Sequence, residues 1–195
     1  YPASYDGVLS VASSADDDVR SGFSNFNTRV DISAPGTFIY STIPDNKYDF
    51  KSGTSMASPV AAGAAAVLRS QYPNYTAQQI KSLMKVNTDN IEELNPNFNG
   101  LIGSGRLNLY KAITRENNIA VNLIDDIIVS DEPSGIINIG SRVKLSLVFE
   151  NVLDDIENLQ IVIGNDKLVE VNIDNTAFDF NDISTGEIFS IEDKI

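Results

Sequence analysis

The sequence predicts an α/β domain over residues 1–114 followed by an all-β, sandwich-like module over residues 115–195. Three observations carry this. Before residue 115 short β-type runs alternate with helical ones; beyond it no helical period is found; and from Ile119 onward apolar residues fall on every second position. The chain is long enough for one large domain or two small ones, and its 42% hydrophobic and 21% charged residues are those of a folding chain rather than a disordered one.

Asp6 to Ser13, carrying Val8, Leu9 and Val11, reads as a buried strand that runs into an acidic turn at Asp16-Asp17-Asp18. Thr28 to Ser33 reads as a second strand, stopped by Ala34-Pro35-Gly36. Thr37–Thr42 and Lys47–Lys51 flank the turn signal Pro44-Asp45-Asn46 and form a pair of short strands. Ser55 to Ser70 is the strongest helix, apolar nearly all round as in a helix buried on most sides, with Pro59 near its start, where a missing N–H costs least. A second helix begins at Thr76: Gln79 three residues on completes a capping box, and Ile80, Leu83 and Met84 fall on one face. An Asn-rich loop over 95–100 follows. Gly103 to Asn108 then leads into a short helix ending near Thr114.

In the second module Val143, Leu145, Leu147 and Phe149 alternate with polar residues, as do Leu159, Ile161 and Ile163, then Val169, Val171 and Ile173. Turn signals at Pro133-Ser134-Gly135, Gly164-Asn165-Asp166 and Ser184-Thr185-Gly186 separate them. Several short alternating strands imply a β-sandwich.

A net charge of −13 and an isoelectric point near 4.2 argue against a nucleic-acid partner, because phosphate binding needs clustered Lys and Arg, and the 14 here are scattered. Without cysteine there is no disulfide or thiolate metal site. No apolar run reaches the roughly 20 residues that span a bilayer. The opening Tyr1-Pro2-Ala3, without Met, suggests a fragment or a processed product. The chain also has no histidine, which limits its acid–base chemistry more than any other feature.

The informative run is Ser52-Gly53-Thr54-Ser55-Met56-Ala57-Ser58-Pro59. A serine in the first turn of a small-residue helix sits beside free N–H groups and the positive end of the helix dipole, which would stabilise charge developing on a substrate oxygen. Gly53 lets a substrate backbone approach closely, and Ala57 leaves room above the hydroxyl. The alternative is that Ser55 only caps the helix, and on residue type alone caps far outnumber nucleophiles.

Residue for residue from Gly53 to Pro59, the run resembles the catalytic-serine signature of the subtilase family of serine proteases. Tyr1-Pro2-Ala3 with Tyr5 and Val8-Leu9-Ser10-Val11, Phe23-Ser24 with Val30 to Gly36, Ser41-Thr42, Tyr48 and the Gly103-x-Gly105-x-Leu107-Asn108 ending are similar too. The resemblance covers residues 1–114 and implies the carboxy-terminal half of a subtilisin-like parallel-sheet domain. It implies that Ser55 attacks a peptide carbonyl, that its backbone N–H is an oxyanion donor, and that the Thr54 hydroxyl supports the oxyanion. It implies a cis peptide at Tyr1–Pro2 and a weak cation site at the backbone carbonyls of Ala3, Tyr5 and Val8. Calcium or a monovalent ion would be structural there, and the chemistry itself needs no cofactor. The partners it implies are a protein or peptide substrate and the missing amino-terminal half of the domain; the place, outside the cell or at its surface.

Two departures stand out. The family has His-Val-Ala-Gly after the proline, whereas this chain has Val60-Ala61-Ala62-Gly63. The Asp and His of the triad and the side-chain oxyanion Asn lie in the family upstream of Tyr1, so the fragment alone is expected to be inactive. A Ser–Lys dyad with Lys47 or Lys51 is a remote substitute. The rival readings are a catalytically dead relative that binds through its β-module, and an esterase of another fold; the latter wants glycine where Ala57 stands. Asp16-Asp17-Asp18 reads as a solvated turn before a calcium site, Thr76 as a cap before half of a glycosylation sequon, and Asp125-Asp126 and Asp154-Asp155 as turns or edge charges.

Overall fold

The computed structural model describes residues 2–130, 132, 136–137, 141, 143–164 and 176–192. Tyr1, the turns at Pro133-Ser134-Gly135 and Asn165-Asp166, the strand expected at Val169, Val171 and Ile173, and the last three residues lie outside them. Two compact units are formed, Tyr1–Glu116 and Asn117–Ile195.

In the first unit β1 (Val11–Ser14) and β2 (Ile32–Pro35) pair in parallel, Val11 opposite Ile32. Both are shorter and later than their hydrophobic runs suggest. Ahead of β1 the backbone closes two successive turns, with the Tyr5 N–H donating to the Pro2 carbonyl at 3.0 Å and the Val8 N–H to the Tyr5 carbonyl at 3.1 Å. Ahead of β2 the Asn27 side chain accepts from the Arg29 N–H at 2.6 Å, an Asx turn that competes with strand pairing. β3 (Ile39–Ile43) and β4 (Lys47–Lys51) form an antiparallel hairpin. Asp45 and Asn46 take positive φ in its loop, a conformation their short polar side chains tolerate.

Helix α1 (Thr54–Gln71) packs on β1 and β2. It is followed by α2 (Ala77–Val86), a 3₁₀ turn (Pro96–Phe98) and α3 (Leu109–Thr114). The Thr76–Gln79 capping box is present in both directions. Pro59 is the sixth residue of α1, deeper than the first turn, so its missing N–H leaves the Ser55 carbonyl without an i→i+4 donor.

Only one stripe of α1 is buried, Ala57, Ala61, Ala64 and Leu68, at the spacing of one helical face. The helix is thus not covered on most sides: Val60 and Val67 are 37% and 45% exposed, and Ala62, Gly63 and Ala66 are exposed too. Between α1 and α2 an open apolar groove of about 400 Å³ runs past Leu9, Ala65, Ala66, Ile80 and Met84. An apolar face of this extent needs a partner surface to fold stably. Residues 1–114 expressed alone are therefore expected to give a poorly cooperative, self-associating species. A sharp thermal transition from a monomer, read by circular dichroism and light scattering, would contradict this.

In the second unit β5 (Val121–Ser130), β6 (Val143–Asn151), β7 (Ile156–Val162), β8 (Ala177–Ile183) and β9 (Ile188–Ile191) form two antiparallel sheets, ordered β5-β6-β9 and β7-β8. A ladder of rings joins them. Phe149 stacks on Phe189 at 5.6 Å, and Phe189 meets Phe180 of the other sheet at 4.8 Å. Asp125 and Asp126 are not in a turn: they lie in the middle of β5, just past an irregularity at Ile124. Among the described residues β5 pairs only with β6, so these are edge charges. Asp154 does lie in a loop, where it accepts the Asn118 N–H at 2.6 Å.

Candidate active site

The β3–β4 hairpin delivers the chain to the first turn of α1. Two hydrogen bonds fix its base: the Gly53 N–H donates to the Gly36 carbonyl at 2.8 Å, and the Phe38 N–H to the Ser52 hydroxyl at 2.9 Å. Gly53 is the N-cap residue, its backbone extended, and no side chain caps the helix. Thr54 and Ser55 are the first two helical residues. The Gly53 carbonyl takes the N–H of Met56 at 2.9 Å and, more weakly, that of Ala57 at 3.3 Å.

Ser55 therefore does not act as the cap. Its side chain is exposed, and its hydroxyl has no hydrogen-bond partner among the described residues. The Ser55 N–H likewise has no acceptor among them, as geometry requires of a second helical residue, and it carries part of the positive end of the dipole. Thr54 is exposed beside it. A Cβ added at Gly53 would lie 3.6 Å from the Ser55 nitrogen and 3.7 Å from its Oγ. Those are ordinary contacts for the fold, but they would fill the space directly over the hydroxyl and its amide.

The floor of this turn is closely packed. Gly36 is buried where a Cβ would run into the Ser13 hydroxyl, come within 2.7 Å of the Gly53 carbonyl oxygen and 3.1 Å of the Ala57 Cβ. Ser13 belongs to a chain of hydroxyls, Ser13 to Ser21 at 2.8 Å and Ser21 to Thr37 at 2.7 Å. The sequence marks Gly36 only as the end of a strand; its support of the turn shows once β2 and the hairpin are brought together.

No described carboxylate or amine lies within hydrogen-bond reach of Ser55. Lys51 is turned to Asp49, at 3.0 Å, and not to the serine. This arrangement offers no dyad.

Two ionic knots hold the scaffold. Asp31 accepts the Ser10 N–H at 2.8 Å and faces the Lys81 and Lys85 ammonium groups at 2.9 and 3.1 Å. Burial by itself raises the Asp31 carboxyl, but the Ser10 amide and the two lysines outweigh it and hold it below the usual carboxylate range. Arg106 bridges Asp89 at 2.7 Å and Asp18 at 2.8 Å. Its guanidinium, with help from Asn108, keeps Asp89 low as well. Asp18 of the acidic turn is thus ion-paired, while Asp17 accepts the Val19 N–H at 3.0 Å. Carboxylates depressed on folding stabilise fully above their unfolded pKa near 3.9, and that stability is lost as pH falls through the lower folded values. Stability should accordingly be flat near neutrality and fall steeply below about pH 4. An Asp31→Asn variant should be destabilised at pH 7 by about 1–3 kcal/mol, with a shallower acid limb in denaturant melts.

At the expected cation site the carbonyls belong to the turns before β1. The Tyr5 carbonyl takes the Val8 N–H. The Val8 carbonyl takes the Lys81 ammonium at 2.8 Å, and the Ser4 carbonyl between them takes the Arg29 guanidinium at 3.3 Å.

A parallel β pair with a helix packed on it, and a serine in that helix's first turn, fit a subtilisin-like domain. The sequence pattern of the Subtilase family matches residues 1–105, and the chain belongs to that family. It is 41% identical over 106 residues to the Thermostable alkaline protease of Halalkalibacterium halodurans, a match covering 54% of this chain and 29% of that protein. It is 40% identical over 113 residues to Thermitase of Thermoactinomyces vulgaris, covering 58% and 38%. Among solved structures, a protease from Pseudoalteromonas arctica matches with a TM-score of 0.51 at 27% identity, over 57% of this chain and 37% of that one. The chain thus spans about a third of the length of the curated relatives it matches. No helix among the described residues is long and apolar enough to cross a membrane.

Proposed function

We propose that this chain supplies the nucleophilic half of a secreted serine endopeptidase, with Ser55 as the nucleophile. The observation that carries this is an exposed, unbonded hydroxyl in the first turn of a helix whose N-cap position Gly53 already fills. A serine kept for stability would cap, and this one does not.

In the proposed reaction Ser55 Oγ attacks the carbonyl carbon of a peptide bond and gives its proton to a histidine outside these 195 residues. The tetrahedral oxyanion accepts from the Ser55 N–H, aided by the helix dipole, and the Thr54 hydroxyl stands beside it. Collapse expels the amine, which takes that proton from the histidine, and leaves an acyl ester on Ser55, which water then cleaves. The chain alone has no histidine to act as base, so by itself it is inactive. Its substrates are proteins or peptides.

Gly53→Ala separates catalysis from folding. Melting temperature should change by a degree or two, since the added methyl makes only ordinary contacts. Peptidase activity of the intact protein should fall by about 10–100-fold, because the methyl crowds the oxyanion position. Equal losses in both would speak against the role given to Gly53.

The rival is a catalytically dead relative that binds through its β-module. Sequencing the gene on the 5′ side of Tyr1 decides between them. An Asp and a His in triad settings with a later Asn support the peptidase; an open frame lacking the Asp or the His supports the binding protein.

A further inference from the structure

We infer that Lys81 is a built-in cation: its ammonium group takes the place of a metal ion at the turns before β1, so that this corner of the fold is independent of calcium, sodium and potassium. The turns present the expected carbonyls of Ala3, Tyr5 and Val8 with that of Ser4 between them, and Asp31, the residue before β2, supplies a carboxylate. This oxygen-rich set is of the kind that hard cations bind. Protein cations already serve it. Lys81 Nζ donates to the Val8 carbonyl at 2.8 Å and to Asp31 Oδ2 at 2.9 Å, while Arg29 serves the Ser4 carbonyl. A primary ammonium carries the single charge of sodium or potassium and delivers it through three directed N–H donors, two of which these partners take.

The two occupants exclude each other. A calcium ion on the Val8 carbonyl would sit about 2.3–2.6 Å from its oxygen, hence within about 5 Å of an ammonium bound to that same oxygen. Two positive charges that close, on a side chain only 20% exposed, repel. A metal would have to evict Lys81, and with it the link from α2 to the turns. Lys85, which holds the other Asp31 oxygen, is 40% exposed and makes no bond to these carbonyls among the described residues. Lys81 is thus the group that joins the Val8 carbonyl to the carboxylate.

The test compares wild type, Lys81→Arg and Lys81→Met in the intact protein that carries this chain. Melting temperatures are read in calcium, sodium or potassium chloride against choline chloride of equal ionic strength. Cation sites elsewhere act equally on all three proteins, so the difference isolates this corner. Lys81→Met should melt several degrees lower in choline and regain part of the loss with metal ions; Lys81→Arg should behave as wild type. An equal response of wild type and Lys81→Met to metal ions would overturn the inference, as would no loss in Lys81→Met. Should Lys81→Met fail to fold, terbium luminescence on wild type and Tyr5→Leu decides. Tyrosine-sensitised emission that depends on Tyr5 means that a metal binds beside Lys81 and the inference fails; emission unchanged by Tyr5→Leu supports it.

Discussion

Replacing Ser55 by alanine in the intact protein is expected to remove peptidase activity by about 10⁶-fold in kcat, the scale known for subtilisin itself. The melting temperature should hardly move. The hydroxyl is exposed and bonds to nothing among the described residues, so its loss leaves no buried group unsatisfied and opens no cavity. Steady-state kinetics on a peptide ester together with a thermal melt read both quantities. A stability loss above about 1 kcal/mol would show that Ser55 has a structural role after all. Retained activity would move the chemistry to another residue.

Gly36→Ala should do the reverse, striking the fold first. Its methyl has nowhere to go: it meets the Ser13 hydroxyl on one side, and on the other the Gly53 carbonyl oxygen at 2.7 Å and the Ala57 Cβ at 3.1 Å. Overpacking of this kind in a closed site costs about 3 kcal/mol, read as a shift in denaturant midpoint at unchanged slope. Activity falls as well, because the Gly36 carbonyl holds the Gly53 N–H and so the turn that carries Ser55. Adding Ser13→Ala should return only part of the stability, since the Gly53 carbonyl is backbone and cannot step aside. Full recovery in the double variant would mean that the hydroxyl was the whole obstacle.

How much the sequence discloses depends on the range of the forces involved. α2 and its capping box are legible because Thr76 and Gln79 act on each other three residues apart. The β3–β4 hairpin is legible because Asp45 and Asn46 suit its loop. The start of β1 is not. Val8 and Leu9 look like strand residues, yet the chain there is drawn into turns whose carbonyls meet Lys81 and Arg29, partners too distant in sequence for local pattern to reveal. Likewise α1 is apolar nearly all round, but the composition cannot say that only the stripe of Ala57, Ala61, Ala64 and Leu68 is buried. Asp125 and Asp126 read by type as turn residues or edge charges, and only the length and edge position of β5 decide for the strand. At the site, the Gly53–Pro59 string indicates a serine of interest through its family resemblance. That the hydroxyl is left unbonded while a glycine occupies the N-cap is a fact of three dimensions.

The measurement that bears most directly on the central claim is labelling of the intact protein with a fluorophosphonate, followed by peptide mass mapping. An activated serine takes the phosphonyl group; an ordinary surface hydroxyl does not. The account predicts one stoichiometric adduct, on Ser55, abolished when the protein is first unfolded. An intact, folded protein that carries no adduct, or carries it on another serine, would contradict it.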